Sequence, residues 1–381
     1  MDAVQSPIVA VVGALIRQVP GTISLGQGVV HYGPPPEAVE AIREGLGRPA
    51  THEYHEVAGL PELIHAIAGK LARENGIDVA AGSRIIVTAG ANMAFMHAVM
   101  AVTVPGDEII LPVPFYFNHE MAIEMAGCRV VRVATDDRYQ LRLDTIRGAI
   151  SDRTRAIVTI SPNNPSGAVL DASSLTAVNR LCADRGLYHF SDETYEYFTY
   201  GQARHFSPGS LPGAAGHTIS MYSLSKAYGF AGWRIGYAAY PVALDSAMIK
   251  SQDTILICPT IASQQGALAA IRVGRAYCEP HVRELESIRE SVVADLARLA
   301  PLATVPAADG AFYCLLRVNT SMDPMHLCEQ LIREYKVAVI PGIAFGMTDG
   351  CYVRVAYGAL QRETVSEGIG RLVIGLRSIL G

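Results

Sequence analysis

A lysine flanked by small hydroxyl residues stands in Ser223-Leu224-Ser225-Lys226, with Gly229, Gly232 and Arg234 close behind. Two hydroxyls and a planar guanidinium are the donors that hold a dianion. A lysine desolvated beside them has a depressed pKa and can act as a Schiff-base nucleophile. Upstream, Ser191-Asp192-Glu193-Thr194-Tyr195 follows the apolar run from Leu187 to Phe190. An acid at the carboxyl end of a parallel strand lies on the edge where open α/β sheets bind ligands, and a carboxylate there can keep a ring nitrogen protonated. In Ser161-Pro162-Asn163-Asn164-Pro165-Ser166-Gly167, two prolines and a glycine fix a turn from which the Asn164 amide can donate to a phenolate oxygen. Thr88-Ala89-Gly90-Ala91-Asn92-Met93-Ala94 is a small-residue turn, and backbone N–H groups at the helix start after it can bind phosphate. Alone, each motif also describes an ordinary turn, a solvated acidic loop or a helix cap. Their order, and their common place at strand ends, is what selects the chemistry.

Loops that converge in this way need strands alternating with helices. Residues 84–88, 108–111, 129–133, 156–160, 188–190 and 218–222 are short apolar runs, several of them β-branched, which is how strands buried on both faces read. Helical stretches at 61–74, 91–102 and 173–185 separate several of them. The alternation predicts a mostly parallel sheet covered by helices. After about Pro280 the order becomes helix (282–299), strand (311–317), helix (324–334), short strand (337–340), strand (351–356) and closing helix (363–380). The expectation is an α/β protein with three parts. Residues 1–45 form an N-terminal arm and part of the small domain, 46–280 a large domain, and 281–381 a smaller α+β domain.

Of the 381 residues, 50% are apolar and 18% charged, the composition of a compact chain long enough for two domains. A net charge of −5 gives no reason to expect nucleic acid. Seven cysteines, never spaced CxxC, argue against a disulfide framework or a zinc knuckle and fit a reducing cytoplasm. The apolar stretch 8–16 follows Asp2 rather than a basic region, and it is too short to span a bilayer. It reads as a helical arm packing on this subunit or a partner, in a soluble protein. Gly26-Gln27-Gly28 with Gly33 lacks dinucleotide-loop spacing, and His52-Glu53-Tyr54-His55 lacks the i, i+4 histidine pair of a zinc helix, so no metal is expected.

With its four motifs at 90, 164, 192–195 and 223–234, the chain resembles the class I/II aminotransferases of the fold type I pyridoxal 5′-phosphate (PLP) enzymes, from about Leu25 to Arg354. The resemblance implies PLP as cofactor, Lys226 as the Schiff-base lysine and Asp192 as partner of the pyridine nitrogen. It puts Asn164 and Tyr195 on the ring hydroxyl, and Ser223, Ser225, Arg234 and the backbone of Gly90, Ala91 and Asn92 on the phosphate. Tyr116, in Pro114-Phe115-Tyr116, falls where the family stacks an aromatic ring on the cofactor. Arg354, in Tyr352-Val353-Arg354-Val355, falls where it grips the substrate α-carboxylate, and Gly28, in Leu25-Gly26-Gln27-Gly28, where backbone closes over that group. Tyr54 matches a tyrosine that reaches the neighbouring subunit's phosphate site, which implies a homodimer with shared active sites.

The implied reaction moves an amino group from an L-amino acid to a 2-oxo acid in two half-reactions, with Lys226 carrying the proton. Dicarboxylate-specific members commonly use a second arginine from the partner, and Ile257-Cys258-Pro259-Thr260-Ile261 offers none. Val29-Val30-His31-Tyr32 is expected to line the side-chain pocket, with His31 and Tyr32 touching substrate. Such walls favour an aromatic or methionine-like donor, as does the similarity of residues 27–32 to the aromatic/methionine branch. The same cofactor residues would also serve a C–S β-lyase or an amino-acid decarboxylase. A PLP-binding regulator is the more remote alternative, since no basic DNA-binding module precedes the fold.

Overall fold

Ile109, Ile110 and Leu111 are consecutive and each 0% exposed, which a strand achieves only when both of its faces are covered. Each such side chain contributes roughly 1.5–3 kcal/mol on burial. In the computed structural model, residues 4–5 and 8–381 are described; Asp2, weighed above, lies outside them. The strands in chain order are β1 (Ile23–Ser24), β2 (Ser83–Thr88), β3 (Glu108–Val113), β4 (Arg129–Ala134), β5 (Thr154–Ile160), β6 (Tyr188–Asp192), β7 (Thr218–Ser223), β8 (Gly236–Pro241), β9 (Ala303–Thr304), β10 (Tyr313–Val318), β11 (Val337–Ala338), β12 (Ile340–Pro341) and β13 (Cys351–Ala356).

The main sheet has the order β2-β8-β7-β6-β5-β3-β4. Only β8 runs against its neighbours, so the carboxyl ends of β2, β3, β5, β6 and β7 share one edge. That edge receives Gly90, Tyr116, Asn164, Asp192 and Ser223. The sequence gives no strand signal for β8, because Ala238 and Ala239 lack the β-branched character that marks its neighbours; tertiary burial makes it a strand.

A second sheet, β12-β13-β10-β9, is antiparallel. In it Arg354 pairs in register with Leu315 on one side and Ile340 on the other. The N-terminal segment joins this part: β1 lies parallel to β11, and the Ala356 N–H donates to the Leu25 carbonyl at 2.7 Å. Gly26 is thereby brought against Arg354.

Local chemistry explains the helix limits. Ala172–Arg185 starts where the Asp171 side chain accepts the Ser174 N–H at 2.8 Å, a cap worth about 1 kcal/mol. It ends at Gly186, whose φ of 64° is the left-handed closure glycine permits. Elsewhere the limits depart from the sequence pattern. The helix expected from residue 282 begins at Arg275 and carries Pro280 inside it. The strand expected from Ala311 begins at Tyr313, since Ala311 has a φ of 52° and breaks the pairing. The expected helix 61–74 is α-helical to Lys70 and then widens into a π turn over Leu71–Asn75.

Candidate active site

Lys226 lies on the short helix Leu224–Ala227 that follows β7. Its Nζ donates to the Gly28 carbonyl at 2.5 Å. Burial, followed by the charges of Arg234 and Arg354, pushes its pKa down to about 8. A neutral amine is therefore available near neutrality, which a nucleophile or a proton carrier needs.

Ser223 caps that helix, accepting the Ser225 N–H at 3.1 Å. Arg234 is held in the left-handed region at φ 54°, and its Nη1 donates to the Ala231 carbonyl at 2.9 Å and reaches Ser225 Oγ at 3.5 Å. Gly90, at φ +83°, precedes the helix Ala91–Val102, and a Cβ there would collide with the Arg234 guanidinium. The first-turn N–H groups of Ala91 and Asn92 have no intrahelical acceptor. Hydroxyls, guanidinium and free amides together form a cup for a dianion.

Asp192 ends β6, 6% exposed. His119 Nε2 sits 3.1 Å from its Oδ2, and the Thr194 N–H donates to Oδ1 at 3.0 Å. Burial raises the Asp192 pKa, but His119 and Thr194 outweigh it and hold the carboxyl below its ordinary value. His119 is in turn stacked on Phe95 with 4.0 Å between ring centroids, and it meets Tyr116 edge-on at 5.4 Å.

Asn164 Nδ2 donates to the Tyr195 hydroxyl at 3.4 Å, while its Oδ1 accepts Arg354 Nη1 at 2.9 Å. Arg354 Nη2 donates to the Gly26 carbonyl at 2.6 Å, whereas the buried Nε has no partner. A fully buried guanidinium with an unused donor is an orphan that an incoming carboxylate would satisfy.

These groups line one cavity of about 310 Å³: Gly28, Ala91, Asn92, Tyr116, Asn164, Asp192, Tyr195, Ser223, Ser225, Lys226, Arg234 and Arg354 all face it. His31 and Tyr32 do not. Tyr32 turns its hydroxyl to the Lys226 carbonyl at 2.9 Å and stacks on His281, while His31 pairs with Glu284 at 3.4 Å. The apolar lining of the cavity includes Val9, Phe117 and Ile160. Tyr54 is also elsewhere, 82% exposed in an open groove beside Leu46 and residues 258–262. His119, Thr194 and Tyr313 also belong to the site, and no sequence motif marks them. Each reads as an ordinary helix, turn or strand residue, and only its contact reveals it.

The chain matches the aminotransferase class I and II family over residues 20–372. An aromatic aminotransferase of Arabidopsis thaliana is 32% identical, covering 98% of this chain and 94% of that protein. An aspartate aminotransferase of Pyrococcus abyssi is 34% identical, covering 93% and 92%. The crystal structure of an aromatic aminotransferase from Pyrococcus horikoshii superposes with a TM-score of 0.89 at 32% identity, covering 97% of this chain and 99% of that one. The fold is that of the fold type I PLP-dependent transferases. The protein belongs to the class I and II aminotransferase family, enzymes that use pyridoxal 5′-phosphate.

Proposed function

We propose that this aminotransferase takes its amino group from an aromatic or methionine-like L-amino acid, with PLP carried as a Schiff base on Lys226. The observation that carries the reading is that one cavity gathers a dianion cup, a buried amine of lowered pKa, an ionised carboxylate and a guanidinium with a free donor. Bound there, the cofactor supplies an aldehyde to the lysine and a protonated ring that draws electrons from the reacting carbon.

The chain's own residues divide the remaining work. Ser223, Ser225, Arg234 and the Ala91 and Asn92 amides bind the phosphate. Asp192, kept ionised by His119 and Thr194, holds the ring N–H. Tyr116 covers the ring, and Asn164 and Tyr195 bond its hydroxyl. Arg354, fixed by Asn164 and Gly26, grips the substrate carboxylate beside the Gly28 backbone. Lys226 Nζ, once displaced from the cofactor by the incoming amine, would take the α-hydrogen as a proton and pass it to the cofactor's former aldehyde carbon.

The donor preference rests on the cavity wall. Val9, Phe117 and Ile160 are apolar, and among the described lining residues the cations are Lys226, Arg234 and Arg354, each already assigned. A side-chain carboxylate would be buried there without a partner, which is costly. The exposed Tyr54 and its groove are read as the surface that meets a second copy in a homodimer, and seven free cysteines fit the reducing cytoplasm. His31 and Tyr32 support this site from outside the cavity.

The test is the absorbance of purified protein with PLP, before and after adding phenylalanine, methionine or aspartate, with products measured alongside. We expect a Schiff-base band that changes with donor and is absent in Lys226→Ala, with 2-oxo acid forming to about one equivalent per site without an acceptor and continuously only with one. The rate constant kcat/KM should favour phenylalanine or methionine over aspartate by on the order of 10-fold or more. Preference for aspartate would overturn the specificity. Cystathionine, added in the same way, tests the lyase alternative: pyruvate and ammonia formed from it without an acceptor would mean a C–S β-lyase.

A further inference from the structure

Three parts of the site meet on Tyr313. Its hydroxyl is 2.8 Å from that of Tyr195. Its ring carries the Arg354 guanidinium 4.7 Å from the centroid. Its hydroxyl also lies so close to the Gly28 backbone that a Cβ at Gly28 would come within 2.6 Å of it. Gly28 in turn offers its carbonyl to Lys226. Tyr313 is fully buried on β10, beside the strand that bears Arg354.

We propose that Tyr313 is a positioning residue, whose hydroxyl aims the Tyr195 hydroxyl and whose ring holds the Arg354 guanidinium. One side chain thereby couples the group that faces the cofactor ring to the group that grips substrate. The proposal rests on the roles given to Tyr195 and Arg354 above.

The chemistry follows from proton inventory. Tyr195 has one hydrogen and two lone pairs. Burial keeps that hydrogen in place by raising the Tyr195 pKa well above the ordinary phenol value, and either hydroxyl of the pair can donate to the other. When Tyr313 donates to Tyr195, the Tyr195 hydrogen is turned into the cavity, and a hydroxyl that accepts one bond donates the next more strongly. Donation to a phenolic oxygen favours its anion, and a stabilised anion holds a proton elsewhere on the same conjugated group less tightly. Loss of the Tyr313 hydroxyl should therefore raise the pH at which the bound cofactor's absorbance changes. The ring acts separately, as a flat face under a desolvated cation.

The experiment is a pH titration of that absorbance in the PLP-loaded protein, together with kcat and KM, for the parent, Tyr313→Phe, Tyr313→Leu, Tyr195→Phe and the double variant Y195F/Y313F. In Tyr313→Phe we expect the midpoint to rise by about half a unit and kcat to fall roughly 5-fold, the scale of one hydrogen bond. KM should stay within about 2-fold, because the ring under Arg354 is retained. Tyr313→Leu should in addition raise KM by roughly 10-fold. In the Tyr195→Phe background, Tyr313→Phe should add no further midpoint shift, since its effect passes through Tyr195. A Tyr313→Phe titration that superimposes on the parent would overturn the proposal, and so would a shift undiminished without the Tyr195 hydroxyl. A parent with no cofactor absorbance at all would instead remove the cofactor reading on which the proposal rests.

Discussion

His119 Nε2 lies 3.1 Å from Asp192 Oδ2, and both side chains are buried. The pair offsets the cost that burial places on the Asp192 carboxylate, whose pKa ends below its ordinary value. Asp192→Asn should lower kcat by on the order of 10³-fold, the scale of removing one preorganised electrostatic partner. In His119→Phe, burial acts on Asp192 with less opposition, so activity should fall away at a higher pH on the acid side than in the parent. The sign for stability is the same. A carboxyl with a depressed folded pKa stabilises the fold above the unfolded value, about 4, and that contribution is lost as pH falls through the folded value. Acid unfolding and kcat–pH profiles check both, and an unmoved acid limb in His119→Phe would remove the role of the pair.

Lys226, pushed down to about 8 by burial and then by Arg234 and Arg354, should show that value before any cofactor is present. Carbamylation of the PLP-free protein by cyanate, read on the Lys226 peptide by mass spectrometry, should rise with pH to a midpoint near 8 and then level. Arg354→Gln removes one of the two neighbouring cations and should move the midpoint upward. A midpoint near the ordinary lysine value of about 10.4 would mean that the amine is not perturbed.

Away from the cavity, Lys70 and Glu196 form a buried ion pair at 2.5 Å, with Asn75 bonded to both partners. Lys70→Ala strands a buried carboxylate and should cost about 3–5 kcal/mol, while a Lys70→Met/Glu196→Leu double variant should recover much of the loss. Denaturant unfolding of the PLP-free protein measures both. Equal losses in the single and double variants would mean that packing, not the unpaired charge, sets the cost.

The cofactor end of the site was legible because its chemistry is written in contiguous runs. Ser223-Leu224-Ser225-Lys226 and Ser191-Asp192 each sit directly after an apolar strand, and strand direction alone sends them to one edge. The substrate end was less so. His31 and Tyr32 lie in an irregular segment where no periodicity fixes side-chain direction, and the contacts that turn Tyr32 away come from Lys226 and His281, distant in sequence. Val9 reaches the cavity from an N-terminal helix that packs on the Pro324–Tyr335 helix, a tertiary placement no local pattern encodes. His119 and Tyr313 were missed for the same reason. In a helix of mixed composition and a buried strand they resemble packing residues until Asp192 and Tyr195 are seen beside them.

Gly90 offers a test of the phosphate cup that removes none of its donor groups. Its φ of +83° is one that L side chains rarely adopt, and the position of an added Cβ is filled by the Arg234 guanidinium. In Gly90→Ala the backbone strain should cost about 1–3 kcal/mol of stability. The larger effect should fall on the cofactor, because Arg234 must withdraw from Ser225 and from the Ala89 carbonyl. Loss of a charge-assisted hydrogen bond, about 1.5–3 kcal/mol, corresponds to a PLP Kd raised roughly 10- to 100-fold. Equilibrium dialysis of PLP against the cofactor-free variant reads the Kd, and a thermal melt reads the strain. Arg234→Ala in the same assay sets the full cost of losing the guanidinium, and adding Gly90→Ala to it should change the Kd little, since no side chain remains to displace. A Gly90→Ala protein that melts lower but binds PLP as tightly as the parent would show that Arg234 does not reach the phosphate.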